Sequence, residues 1–266
     1  MVKTVSILPE NITAVVLAGG FGTRIRHLLG DLPKPMAPVA GKPFIEWIVR
    51  YLAAQKIRKV ILSTGYNAGT IEKHFLSEPV KNIQVVCVSE EKPLGTAGGF
   101  LNAIQGTTEK PAAWLVLNGD SLAVAPLDGM FASLRGCDAP VAEPGGDEAS
   151  PLPQIAGAIL GVRVADASRF GTIVQNSHGD LMGFNEKKAG AGIINAGIYL
   201  FRAEIVHGFP QKSPLSFETE VFPSLIAQQN RLKVFVTDAP FLDIGTPESL
   251  PLAENFIRRN EDYFES

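Results

Sequence analysis

The sequence predicts an α/β fold, a mainly parallel sheet with helices on both faces, and three observations carry that expectation. Short β-branched apolar runs alternate with amphipathic helical patterns across the first half of the chain, as consecutive βα units do. Each unusual glycine-, proline- or acid-rich cluster there follows one of the apolar runs directly, at the carboxyl ends of the strands, where such sheets hold their ligands. Beyond Gly136 the runs are shorter and separated by turn signals, which reads as an antiparallel addition.

Residues 1–11 form a polar lead-in. "TAVVLA" (Thr13–Ala18) is a nearly continuous apolar run of the kind buried on both faces and gives the first strand. In "PFIEWIVRYLAAQ", Ile45, Ile48, Val49 and Leu52 recur at helical spacing behind Pro43 at a first helical position. "KVILS" (Lys59–Ser63) is the second strand, "NAGTIEKHF" a second helix, and "IQVVCVS" (Ile83–Ser89) the third strand. "GTAGGFLNAI" supplies a third helix and "AAWLVLN" (Ala112–Asn118) the fourth strand. The stretch from Ala139 to Gln154, dense in proline and acids, reads as a surface excursion. "AILGVRVA", "GTIVQ", "LMGFNE" and "INAGIYLF" follow as strands, and Thr246 with Pro247 marks the start of a terminal helix.

Composition bounds the function. With 266 residues, 45% hydrophobic and 19% charged, the chain has the makeup of a globular protein with a substantial core. We read it as one domain, with a first half over 12–136, a second half over 155–250 and a C-terminal helix over 251–266. A net charge of −3 argues against a broad footprint for nucleic acid or an anionic membrane, so any phosphate site is compact. Cys87 and Cys137 have no metal-ligand or disulfide spacing and read as reduced thiols. His27, His74, His178 and His207 also lack ligand spacing and read as surface or capping residues. No secretory leader or membrane-spanning run is evident, so the expected location is cytoplasmic.

"LAGGFGTRIRHLLGDLPKPM" (Leu17–Met36) carries the strongest chemistry. Gly19, Gly20 and Gly22 at a strand-to-helix turn let backbone amides approach a polyphosphate. Their spacing matches neither the P-loop nor the dinucleotide fingerprint. Arg24 adds a guanidinium suited to phosphate oxygens, and Lys34, between two prolines that favour extended geometry, is a lysine with little freedom to lose. Asp120 in "LVLNGDS" and Asp243 in "FLDIGTPE" are each either turn residues or carboxylates for a hard divalent cation. Taken with Arg24 and Lys34, they describe a metal-assisted phosphoryl or nucleotidyl transfer site.

These residues resemble the sugar-1-phosphate nucleotidyltransferases from about Thr13 to Leu250, through the glycine stretch, "ILSTGYNAGTIEKHF", "SEEKPLGTAGG", "LNGDS", "GFNEK", "INAGIYLF" and "FLDIGTPE". Within that family the chain is most similar to the D-glycero-α-D-manno-heptose 1-phosphate guanylyltransferases, through "PKPMAPVAGKPF", "PLGTAGG" and "SFETEVFPSL". The resemblance implies the nucleotide-diphospho-sugar transferase fold, a Rossmann-like mixed sheet with a small antiparallel sugar-binding addition. It also implies a nucleotide-binding half over 12–136 and a sugar-phosphate-binding half over 155–250, with a nucleoside triphosphate, GTP, and a sugar 1-phosphate as partners and Mg²⁺ as cofactor; the sequence leaves the assembly open between a monomer and a homo-oligomer.

Carried over, the catalytic set is Arg24, Lys34 and Asp120, with Asp120 and Asp243 as Mg²⁺ ligands. Leu17, Ala18, Gly19, Gly20, Gly22, Thr23, Asn118 and Gly119 hold the nucleotide, while Glu90, Pro93, Gly95 and Thr96 meet its base and ribose. Glu186, Lys187, Asn195 and Gly197 face the sugar phosphate, and Lys188 competes with Lys187 for that role. Ser121 departs from the family pattern, where threonine is commoner. The alternatives are a mannose-1-phosphate guanylyltransferase, a uridylyltransferase for a hexose or N-acetylmuramate 1-phosphate, a regulatory subunit that binds nucleotide-sugar without turnover, and a kinase or NTPase.

Overall fold

A computed structural model describes residues 7–20, 24–65, 67–108, 110–135 and 154–265. The first half runs β1 (Ile12–Ala18), α1 (Arg26–Leu29), a short ribbon β2 (Pro38–Val39) and β3 (Lys42–Pro43), α2 (Phe44–Ala54), β4 (Lys59–Thr64), α3 (Ala68–Ser77), β5 (Gln84–Ser89), α4 (Thr96–Gln105) and β6 (Ala113–Asn118). The remainder runs β7 (Ser121–Ala123), α5 (Asp128–Ser133), β8 (Ile155–Val164), β9 (Thr172–Gln175), β10 (Leu181–Asn185), β11 (Gly192–Arg202), α6 (Phe222–Ala227), β12 (Arg231–Thr237), β13 (Phe241–Asp243) and α7 (Ala253–Arg259).

Among the described residues nine strands form one sheet, in the order β10-β9-β11-β6-β1-β4-β5, with β8 on β11 and β12 on β8. β1 pairs in parallel with β4 and β6, and β4 with β5. β11 then joins β6 antiparallel, so the antiparallel addition continues the same sheet. Its lower half, Gly192–Asn195, runs past the end of β6, where Ile194 meets Thr172 of β9.

Strand alternation divides the core between the two faces. Ala14, Val16, Val60 and Leu62 point into one cluster with Phe44, Ile48, Ile71 and Phe131 from α2, α3 and α5. Val15, Ile61 and Val116 point into another with Phe100 of α4 and with Phe217, Phe222 and Leu225 around α6. That is the double covering expected from continuous apolar strands. Among the described residues, no helix is long and apolar enough to cross a membrane.

Some expectations change. The terminal helix begins at Ala253, after a 3-10 turn Leu250–Leu252, because Pro251 can donate no backbone N–H. Thr246 and Ser249 instead bond each other in a local turn, with Ser249 N donating to Thr246 Oγ1 at 3.3 Å. His74 is no surface or capping residue. It lies 2.8 Å from Glu46, whose carboxylate, 2% exposed on the apolar face of α2, also pairs with Lys42 at 3.0 Å and Arg50 at 2.8 Å. Burial alone would raise the Glu46 pKa, but these partners more than offset it and hold the carboxyl below its ordinary range. Cys87 is half-buried and free, and burial pushes its thiol up to about 11, the mark of an unreactive thiol. Cys137 and the excursion through Pro153 lie outside the described residues.

Candidate active site

The ends of β1, β4, β5 and β6 open on one cleft of about 290 Å³. Its lining contains Leu17, Ala18, Gly19, Gly20, Lys34, Glu90, Pro93, Gly95, Thr96, Asn118, Gly119 and Asp120, all singled out from sequence, together with Pro35, Ser63 and Gly99, which were not. The convergence is topological. Parallel strands end on one edge, and each loop leaves from that edge.

One wall is built around Glu90, just beyond β5. Its carboxylate lies against Gly19 and Gly99, where an added Cβ would overlap Glu90 at the first and lie 3.3 Å from Oε2 at the second. A side chain at position 19 would displace the carboxylate from this position, and one at 99 would crowd both it and Ser63 Oγ. Burial raises the Glu90 pKa, and a hydrogen bond from the Leu94 backbone only partly offsets this.

The opposite end carries charge. β7 and β13 pair antiparallel with Ser121 opposite Asp243, and Ile244 N donates to Asp120 O at 2.9 Å. A two-stranded ribbon thus holds Asp120 and Asp243 side by side although they are far apart in sequence. Lys34 Nζ donates to Asp120 Oδ2 at 2.6 Å, and its side chain is 10% exposed against 43% for Asp120. The same Nζ would lie 2.9 Å from a Cβ on Gly245, whose N donates to Asp243 Oδ1 at 2.6 Å.

Lys34 itself differs from expectation. Its backbone opens a 3-10 turn instead of being extended, because Met36 N→Pro33 O and Ala37 N→Lys34 O bonds of 2.8 and 3.0 Å outweigh the bias that Pro35 imposes. Arg169, exposed in the loop before β9, approaches Asp243 to 3.6 Å and adds a cation the sequence did not flag.

Asp120, paired with Lys34, and Asp243, on the neighbouring strand outside the cleft lining, are hard oxygen donors of the kind Mg²⁺ takes one or two at a time, completing its shell with substrate phosphate and water. Among the described residues there is no larger cluster of metal-ligating side chains.

The remaining candidates sit at the margins. Arg24 is exposed and does not line the cleft. Gly22 and Thr23 lie outside the described residues. Glu186, Lys187 and Lys188 are all exposed just beyond β10, so the two lysines stand equivalent. Asn195 and Gly197 occupy an irregularity in β11 between Asn195 and Tyr199. Gly197 has φ +71° and sits so close on the Asn118 side chain that a Cβ there would overlap it. It therefore touches the cleft wall from the acceptor side.

The family described as "Nucleotidyl transferase" matches residues 13–143 and 146–260. The chain is 34% identical over 256 residues to a mannose-1-phosphate guanylyltransferase of Mycobacterium tuberculosis, covering 95% of this chain and 65% of that protein. It is 32% identical over 246 residues to a D-glycero-alpha-D-manno-heptose 1-phosphate guanylyltransferase of Aneurinibacillus thermoaerophilus, covering 92% and 98%. The crystal structure of HddC from Yersinia pseudotuberculosis superimposes with a TM-score of 0.76 at 31% identity, over 92% of this chain and 99% of that one. HddC has also been solved complexed with GMP-PN, and that structure superimposes with a TM-score of 0.75.

Proposed function

The chain belongs to the nucleotidyl transferase family, and from that premise we propose that it transfers GMP from GTP to a sugar 1-phosphate, D-glycero-α-D-manno-heptose 1-phosphate, forming the GDP-sugar and pyrophosphate. The carrying observation is the division of one cleft between Glu90 at one wall and the Lys34–Asp120 pair at another, with Asp243 on the neighbouring strand just outside the lining. An acceptor-only carboxylate suits the adjacent N1–H and N2–H donors of guanine. Uracil presents one N–H between two carbonyls, which a carboxylate repels. Gly95 and Thr96 flank the base, and the amides near Gly19 and Gly20 take the triphosphate.

A sugar phosphate oxygen attacks the α-phosphorus in line; the bond from that phosphorus to the bridging oxygen breaks, and pyrophosphate leaves with the electron pair. No covalent intermediate on the protein is needed, so the protein's contribution is positioning and charge. Lys34 meets the negative charge growing on the α-phosphate and leaving group, with Arg24 as its partner from the glycine turn. Asp120 and Asp243 would hold Mg²⁺, which when bound neutralises phosphate oxygens as a Lewis acid. Glu186, Lys187, Asn195 and Gly197 form the acceptor side. The reaction is placed in the cytoplasm.

Mannose 1-phosphate is the second acceptor to consider, favoured by the 34% identity to the mycobacterial relative. Both readings are tested by pyrophosphate release from GTP, UTP, CTP, dTTP and ATP paired with heptose, mannose, glucose and N-acetylmuramate 1-phosphates. The expected result is turnover with GTP and the heptose phosphate. Higher kcat/KM with mannose 1-phosphate selects the second acceptor, and silence with every pair in the presence of Mg²⁺ overturns the reading.

A further inference from the structure

Tyr199 is a fully buried ionisable group that the mechanism above leaves without a task. Its ring is fixed by Phe217 and Phe222, at centroid distances of 5.2 and 5.0 Å. Its hydroxyl stands in a chain of polar contacts. Tyr199 Oη donates to Glu218 Oε1 at 2.9 Å and accepts from Asn195 Nδ2 at 2.8 Å, and Asn195 Oδ1 accepts from Gly197 N at 2.9 Å. On the other side, Glu218 Oε2 accepts from Ser216 Oγ at 3.0 Å and lies 3.5 Å from Thr96 Oγ1, which itself accepts from Phe217 N at 3.0 Å.

Both ends of this chain reach the cleft: Thr96 lines it directly, and Gly197 packs on Asn118, which lines it too. Between them the contacts span the irregularity in β11, where strand pairing no longer fixes the backbone. Buried polar chains of this kind specify one arrangement when every member is satisfied. Burial and the neighbouring Glu218 push the Tyr199 pKa well above its ordinary value, so the phenol stays a donor.

We propose that Tyr199 and Glu218 are positioning residues that lock the β11 irregularity, and with it Asn195 and Gly197, in the orientation that receives the acceptor sugar phosphate. The inference rests on the functional reading above. Neither residue touches the reacting atoms; each acts through Asn195.

The test is Y199F, measured by steady-state kinetics with GTP and the preferred sugar 1-phosphate, and by titration with a non-hydrolysable GTP analogue. The KM for the sugar phosphate is expected to rise about tenfold, near 1.4 kcal/mol. Affinity for the GTP analogue should stay within twofold. Hydrogen exchange should accelerate in residues 192–198 and not in β1. E218Q, which keeps an acceptor for the tyrosine, should restore a sugar KM close to wild type, whereas E218L should reproduce Y199F and serves in its place if Y199F does not fold.

An unchanged sugar KM in Y199F or E218L, or an equal loss for both substrates, overturns the inference while leaving the functional reading in place. Failure of that reading shows instead as a wild-type protein that releases no pyrophosphate.

Discussion

Replacing Lys34 with methionine keeps the length and apolar stem of the side chain and removes only its charge. Two effects of very different size follow. Lys34 is 10% exposed, in the partly desolvated end of the cleft. A unit charge about 4 Å from a phosphate oxygen, at an effective dielectric of about 20, interacts by roughly 4 kcal/mol. Part of that is spent equally on bound GTP, so the share that strengthens in the transition state amounts to about 10²–10³ in kcat. Stability should hardly respond, because Asp120 is 43% exposed and water replaces its lost partner. An ion pair of that exposure is worth about 0–1 kcal/mol, a shift within about 4 °C in Tm. Kinetics by pyrophosphate release, titration with a GTP analogue and thermal melting separate these quantities. A kcat within fivefold of wild type, or a loss of nucleotide affinity equal to the loss of kcat, would refute the assignment of Lys34 to the transition state.

Other substitutions report on other parts of the site. E90Q should narrow the preference for GTP over UTP and flatten the acid limb of kcat/KM for GTP; in wild type that limb should lie above the ordinary 4.5, since burial raises this carboxyl. A raised folded pKa means stability that is present at low pH and lost as pH rises through it, so E90Q should melt at or above the wild-type temperature at pH 7. D120N and D243N should each abolish most activity and weaken the dependence of rate on Mg²⁺; wild-type metal titration curves would show that the aspartates were misassigned. E46Q removes the charge of a 2% exposed carboxylate that is held by Lys42, Arg50 and the His74 ring. Breaking such a cluster costs about 3–5 kcal/mol, a drop of about 6–20 °C in Tm. Because the Glu46 pKa is lowered, its contribution is full above the ordinary 4.5 and lost as pH falls through the folded value, so the gap between variant and wild type should close in acid.

The strands that end at the cleft were readable because a strand buried on both faces must be a short apolar run, and the loops that follow it carry residues no core would need. That logic places Gly19, Glu90, Gly95 and Asp120 on one edge from the sequence alone. Lys34 was readable as a constrained lysine, but its 3-10 turn was not, since the deciding hydrogen bonds come from Pro33 and Lys34 carbonyls.

What stayed hidden depends on contacts between distant segments. β12 carries alternating apolar residues yet pairs in parallel with β8, a partner more than sixty residues earlier, and nothing local announces it. Ser63 and Gly99 line the cleft because Ser63 Oγ donates to Gly99 O at 3.1 Å across β4 and α4. Glu46 and His74 each look like an ordinary solvent-facing helix residue until α2 and α3 pack together. Tyr199 and Glu218 look like one more aromatic in a strand and one more acid in a charged turn.

The most direct measurement is a ³¹P NMR time course of the protein with GTP, Mg²⁺ and D-glycero-α-D-manno-heptose 1-phosphate. GTP and the sugar phosphate should disappear together while pyrophosphate and a GDP-sugar appear in equal amounts, with no orthophosphate. Orthophosphate and GDP, or an unchanged spectrum with this acceptor and with mannose 1-phosphate, would contradict the proposed GMP transfer.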